Sequence, residues 1–94
     1  MTVAIIGIGL IGGSLAITLK ENGFAGHIIG IDASQANLDK AIRRRLIDKD
    51  MPLDEGVKAA ELIILATPVD AMLTLLPQVL DLVEDQVVID VGST

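Results

Sequence analysis

The 94-residue sequence predicts a doubly wound α/β fold, a parallel sheet with helices on both faces, and three features carry that expectation. The chain is 51% hydrophobic, yet Phe24 is its only aromatic residue. Its core must therefore come from Ile, Leu, Val and Ala, the composition of parallel strands buried on both faces. Short apolar runs alternate with segments of helical periodicity, which calls for strand–helix–strand units joined by right-handed crossovers. After the first run come Gly7, Gly9, Gly12 and Gly13, which would break a single helix and make better sense as a turn between a strand and a helix.

Val3–Ile6 reads as a buried strand. From Leu10 to Leu19 the apolar residues recur with helical spacing, and Gly23 is a C-terminal stop. His27–Ile31 is a second strand. Ser34 then caps a helix carrying Leu38, Ala41 and Ile42 on one face, with Asp39 and Arg43 spaced for an i,i+4 pair on its outer side. Residues 46–56 are expected to hold a short third strand and a turn, leading into a helix of one to two turns that ends near Ala60. Leu62–Ala66 is a strongly apolar strand. After it, Thr67 is expected to cap a helix with Pro68 at the first helical position and Asp70 in the first turn. Pro77 is expected to split this region into a helix over 69–75 and another starting at Pro77. Val87–Val91 is the last strand. A complete domain would continue into a helix covering it, so residues 1–94 are expected to be a piece of a longer protein.

Charge and composition exclude several classes of function. A net charge of −6 argues against nucleic acid, because phosphate binding needs clustered cations. The one basic cluster, Arg43-Arg44-Arg45, reads as a solvated helix end. The absence of cysteine excludes disulfides and thiolate metal sites, and a lone His27, read as a surface or edge residue, excludes a multi-histidine site. These features suit a cytoplasmic protein. The uncharged opening run lacks the positive n-region of a signal peptide. It also falls short of the roughly 20 residues of a membrane span and is broken by glycines.

Gly7-Ile8-Gly9-Leu10-Ile11-Gly12 matches G-x-G-x-x-G, and its context makes the match informative. It follows a predicted strand, opens a predicted helix, and is followed by Asp32 twenty residues after Gly12, at the end of the next strand. This is the pattern of a Rossmann-type dinucleotide-binding sheet, expected in the order 3-2-1-4-5. Gly7 permits the tight turn, Gly9 lets main chain approach a pyrophosphate, and Gly12 lets the helix pack against the strand. The free N–H groups of the helix start face the phosphates. Asp32, with Ala33 and Ser34 beside it, would accept the ribose hydroxyls. Its charge opposes a 2′-phosphate, so NAD is expected over NADP. The alternatives are that the glycines only permit close packing and that Asp32 begins an Asx turn. Ser14 either contacts the nucleotide or faces the sheet. Thr67-Pro68 and Gly92-Ser93 end the two later strands, where they either border the nicotinamide half of the ligand or act as plain turn and cap residues.

Taken together and in order, "IIGIGLIGGSLA", "GIDAS", "LIILATPVDAMLTLLPQVL" and "VVIDVGST" resemble the prephenate dehydrogenases and the related arogenate dehydrogenases. The resemblance implies an oxidoreductase of tyrosine biosynthesis that decarboxylates prephenate oxidatively to 4-hydroxyphenylpyruvate. Hydride leaves the ring carbon bearing the hydroxyl, carbon dioxide departs, and the ring becomes aromatic. It further implies that Gly7, Gly9 and Gly12 hold the pyrophosphate and Asp32 the ribose, while Thr67 and Pro68 lie against the nicotinamide. Ser93 would stand beside the cofactor and bond the substrate hydroxyl or its catalytic base. The family's catalytic histidine, its substrate-binding arginine and the helical domain that makes its homodimer lie downstream of this region. His27 does not occupy the catalytic position, so the chain alone is expected not to turn over prephenate. The alternatives are the NAD-binding domain of a β-hydroxyacid or imine-reducing dehydrogenase, and a non-catalytic NAD-binding module.

Overall fold

Apart from a two-residue polar strand at one edge, the strands of the computed structural model, which describes residues 1–91, are runs in which nearly every side chain is apolar. They are β1 (Thr2–Ile6), β2 (His27–Ile31), β3 (Lys49–Asp50), β4 (Leu62–Leu65) and β5 (Val87–Asp90). All pair in parallel, in the order β3-β2-β1-β4-β5 that the sequence predicts. Central β1 aligns Val3 with Ile28 on one side and with Leu62 on the other. Between the strands run α1 (Leu10–Glu21), α2 (Gln35–Arg43), α3 (Leu53–Ala59) and α4 (Val69–Leu82).

Side-chain alternation divides the core into two layers. Val3, Ile5, Ile28 and Ile64 pack under α1 and α2 with Ala16, Leu38 and Ala41. Their neighbours Ala4, Ile6, Ile29, Ile63 and Leu65 face α3 and α4 with Val57 and Val79. At about 1.5–3 kcal/mol for each fully buried Ile or Leu, these two layers hold the sheet. Among the described residues no helix is long and apolar enough to cross a membrane.

Several expectations change in detail. Helix α4 is continuous, and Pro77 lies inside it. The carbonyl that Pro77 cannot bond belongs to Leu73, which is 71% exposed, so water can donate to it in place of the missing N–H. On the other side Met72, Leu75, Leu76 and Val79 pack against the core and keep the two halves in line. Thr67 is not a cap and Pro68 is not the first helical residue: Pro68 itself is the N-cap, in an extended conformation, and no side chain caps the helix. Ile42 is 39% exposed rather than shared with the Leu38–Ala41 face. Asp39 accepts from Gln35 Nε2 at 2.9 Å, and no Asp39–Arg43 pair forms among the described residues. Helix α1 runs to Glu21, and Gly23 stops it as the sequence predicts.

Helices α1 and α2 end in the same way with different residues. Gly23 (φ +70) donates to Lys20 and Phe24 donates to Leu19, a Schellman closure. Arg45 (φ +59) donates to Ile42 and Leu46 donates to Ala41, the same closure with a side chain in the left-handed position. That conformation costs a non-glycine residue about 1–2 kcal/mol, offset in part by glycine's greater chain entropy. Arg45→Gly is expected to stabilise the chain by roughly 0.5–1 kcal/mol, read as a higher urea midpoint at unchanged slope.

The start of β2 is fixed by Asp48. Its Oδ2 accepts the Ile28 N–H at 2.7 Å, its Oδ1 takes Lys20 Nζ at 3.0 Å, and His27 Nδ1 stands 4.0 Å from Oδ2. Partial burial pushes this carboxyl up, but the Ile28 N–H, Lys20 and His27 outweigh it and hold it below its ordinary value. A depressed carboxylate contributes stability above its unfolded pKa and loses it as the pH falls through the folded one. Asp48→Asn is expected to cost about 0.5–1 kcal/mol near neutral pH. Urea titrations at descending pH should show that difference narrowing below the ordinary aspartate range, once Asp48 is protonated in the parent as well.

Candidate functional site

Because every strand runs the same way, Ile6, Ile31 and Leu65 finish at one edge of the sheet, where the glycine turn also lies. Gly7 (φ +96) leaves β1 in a conformation that a side chain resists, and its N–H donates to the Ile31 carbonyl at 2.7 Å. A Cβ there would stand 2.8 Å from the Thr67 methyl and 3.0 Å from the Ala66 main chain, so the turn is wedged between the ends of β2 and β4. A Cβ on Gly12 would overlap the Gly7 carbonyl oxygen. Both glycines are therefore demanded by the fold itself.

Gly9 is different. It is the N-cap of α1 at φ −87° and ψ −153°, an extended conformation open to other residues. A Cβ on it would meet nothing within 4 Å. Leu10 and Ile11 open the helix behind it, no side chain caps that end, and no acidic residue stands in the first turn. The first-turn N–H groups and the positive dipole end are thus left for a ligand.

Asp32 ties the second strand to this turn. Its Oδ2 accepts the Ile8 N–H at 2.8 Å, and its Oδ1 accepts the Ser34 N–H at 2.8 Å. The second bond is an Asx turn, as one reading of Asp32 expects, and the first brings the same carboxylate to the glycine turn. Ile8 is buried, Asp32 and Ser34 are half-buried, and Ala33 is exposed. Ser34 caps α2 by accepting the Asn37 N–H at 3.3 Å, as the sequence predicts. Asp32→Ala would strip the Ile8 N–H of its acceptor, so Asp32→Asn is the cleaner probe of its charge.

Thr67 is the one buried polar side chain among the described residues, 9% exposed, and its Oγ1 has no hydrogen-bond partner there. Its methyl faces Gly7, which explains why the hydroxyl does not cap α4. An unpaired buried hydroxyl costs about 1–3 kcal/mol, an expense usually met where a ligand or water completes the bond. Pro68 beside it is exposed. Gly92 and Ser93 lie outside the described residues. Ser14 is exposed on α1 and does not face the sheet. Asn37, which sequence reasoning missed, extends its Nδ2 to 3.5 Å from Asp32 Oδ2. Its signal was present: three residues past a cap, it belongs to the first turn of α2, next to the loop that carries Asp32. Among the described residues no cluster of His, Asp or Glu is suited to a metal ion.

A parallel sheet in this order, with a glycine turn opening a helix at the C-terminal end of its central strand, defines a nucleotide-binding domain of the doubly wound class. The family model for the prephenate dehydrogenase nucleotide-binding domain matches residues 15–94, and the chain belongs to that family. The match begins beyond the glycine turn, so Gly7, Gly9 and Gly12 are independent of it. Prephenate dehydrogenase of Bacillus subtilis (strain 168) is 38% identical over 96 residues, which cover 99% of this chain and 26% of that protein. The crystal structure of Synechocystis arogenate dehydrogenase superposes with a TM-score of 0.87 at 32% identity, over 100% of this chain and 34% of that one. Prephenate dehydrogenase from A. aeolicus, in complex with hydroxyphenyl propionate and NAD+, gives a TM-score of 0.91 at 28% identity, again over 100% and 34%. The chain spans about a quarter of the curated relative's length and about a third of each solved structure.

Proposed function

We propose that this chain is the NAD-binding part of a prephenate or arogenate dehydrogenase, contributing to NAD-dependent oxidative decarboxylation of the small-molecule substrate. The observation that carries this reading is Gly9, a glycine that neither backbone strain nor packing requires, at an uncapped helix start. In this reading the main chain of Gly7, Ile8, Gly9, Leu10, Ile11 and Gly12 lies along the pyrophosphate. Asp32 accepts the adenosine ribose hydroxyls beside Ala33 and Ser34. Thr67, Pro68 and Gly92 border the nicotinamide half, where the Thr67 hydroxyl, unpaired among the described residues, gains a partner. When bound, the nicotinamide supplies the hydride acceptor.

Ser93 is the chain's candidate for bonding the substrate hydroxyl or orienting its base. His27 begins β2, at the opposite end of the sheet from the glycine turn, which removes it as the general base. We therefore read the chain alone as inactive towards prephenate, the base being supplied elsewhere in a homodimeric, cytoplasmic full-length enzyme.

Calorimetric titration of the chain with NAD and with NADP tests the reading. NAD is expected to bind more tightly by roughly tenfold, about 1.4 kcal/mol, because the Asp32 carboxylate opposes a 2′-phosphate. Asp32→Asn should narrow that gap by raising NADP affinity. A folded chain that binds neither dinucleotide would refute the proposal.

A further inference from the structure

The glycine turn is held unequally on its two sides. Towards β2 it is hydrogen-bonded: the Gly7 N–H donates to the Ile31 carbonyl at 2.7 Å and the Ile8 N–H to Asp32 Oδ2 at 2.8 Å. Towards β4 the ladder ends before the turn, where the Ala66 N–H donates to the Ile6 carbonyl at 2.8 Å. Beyond that bond, among the described residues, the turn meets the end of β4 through packing alone. The side chain it meets is Thr67, whose methyl would lie 2.8 Å from a Cβ on Gly7, nearer than the Ala66 main chain at 3.0 Å.

A threonine cannot place its methyl and hydroxyl independently, because both branch from one stiff χ1 torsion. Seating the methyl against Gly7 therefore decides where Oγ1 goes. The outcome is unfavourable for the hydroxyl: Thr67 is 9% exposed, and Oγ1 has no hydrogen-bond partner among the described residues. Two residues on, α4 starts without a side-chain cap, an opening that a freely rotating hydroxyl is able to fill. The methyl is thus held in place against two polar alternatives. We propose that Thr67 is a positioning residue for the glycine turn. Its methyl buttresses Gly7 from the β4 side and fixes the path of the main chain from Gly7 to Gly9, and the same rotamer keeps Oγ1 aimed and unpaired. Only the effect on ligand affinity rests on the dinucleotide reading; the hold on the turn does not. The two branches then have separable roles. Serine, which keeps the hydroxyl, releases the turn, whereas valine, which keeps the methyl, leaves it buttressed. That order is the reverse of the one for a threonine needed only for its hydroxyl.

The test compares the chain with Thr67→Ser and Thr67→Val. Amide hydrogen exchange is followed in the ligand-free proteins at Gly7 and Ile8, with buried Ile29 and Ile63 in the strands as references. NAD and ADP-ribose, which carries the pyrophosphate without nicotinamide, are each titrated by calorimetry. In Thr67→Ser, exchange at Gly7 and Ile8 is expected to rise about tenfold with the references unchanged, and ADP-ribose affinity to fall roughly fivefold. In Thr67→Val, exchange and ADP-ribose affinity should stay within about twofold of the parent, while NAD loses its advantage over ADP-ribose along with the hydroxyl. Exchange and ADP-ribose affinity in Thr67→Ser equal to the parent's would overturn the buttress and leave the dinucleotide reading standing. Faster exchange at the reference amides as well would overturn it too, by reducing Thr67 to a packing residue. Faster exchange at Gly7 and Ile8 alone, with neither ligand bound by the parent, would keep the buttress and refute the dinucleotide reading.

Discussion

Gly12→Ala is expected to remove a large share of the chain's stability, at least about 3 kcal/mol out of the roughly 5–15 kcal/mol available to a typical domain. The added Cβ would overlap the Gly7 carbonyl oxygen, with the Gly7 carbonyl carbon at 3.2 Å and Ile5 Cγ2 at 3.3 Å behind it. Ordinary overpacking costs about 1–3 kcal/mol because a neighbouring side chain can rotate away. Here the obstacle is main chain, and that main chain is fixed by the Gly7 N–H bond to Ile31 at 2.7 Å. Relief requires α1 to lift from β1, which uncovers Ile5 and Ala16 in the core layer under α1 and α2. Gly13→Ala is the internal control, one residue along the same helix. Its Cβ would meet the end of a flexible Leu46 side chain at 3.3 Å, while alanine gains up to about 1 kcal/mol of helix propensity. Urea unfolding of the two variants should therefore diverge in sign or nearly so. A Gly12→Ala unfolding free energy within about 1 kcal/mol of the parent would show that the helix start yields more easily than the packing implies.

What could be read in the sequence follows from how local each feature is. The strands were legible because parallel strands covered on both faces need apolar residues at every position, and "VAII", "HIIGI" and "LIIL" supply them. Edge strand β3 is two polar residues, Lys49 and Asp50, and carries almost no pattern of its own. Pro77 misled because the rule against helix-interior proline presumes a buried carbonyl, whereas the burial of Leu73 is set by tertiary packing. Thr67 misled because Thr-Pro is a sound helix-start signal until Gly7, sixty residues earlier, offers its methyl a place to pack. The turn glycines and Asp32 were legible through spacing alone. Asn37 was legible only through the Ser34 cap three residues before it, since its approach to Asp32 depends on how the fold sets α2 beside the glycine turn.

The same accounting of glycines makes Gly9 the sharpest functional probe. Alanine at this position meets no atom within 4 Å and keeps an extended conformation, so the fold should tolerate it. The expected loss is under about 1 kcal/mol, the difference between glycine and alanine as an N-cap. Binding should respond in the opposite proportion. A methyl group there would stand between the uncapped first turn of α1 and any phosphate drawn to it, lengthening every N–H contact at once. NAD affinity is expected to fall roughly 30-fold or more, about 2 kcal/mol, while the urea midpoint barely moves. No single structural role for Gly9 produces that separation, since packing or strain would move stability first. Calorimetric titration of Gly9→Ala with NAD, beside its unfolding curve, makes the comparison directly. Unchanged NAD affinity in a stably folded variant would mean that the pyrophosphate does not lie at this turn, and the dinucleotide reading would lose the observation that carries it.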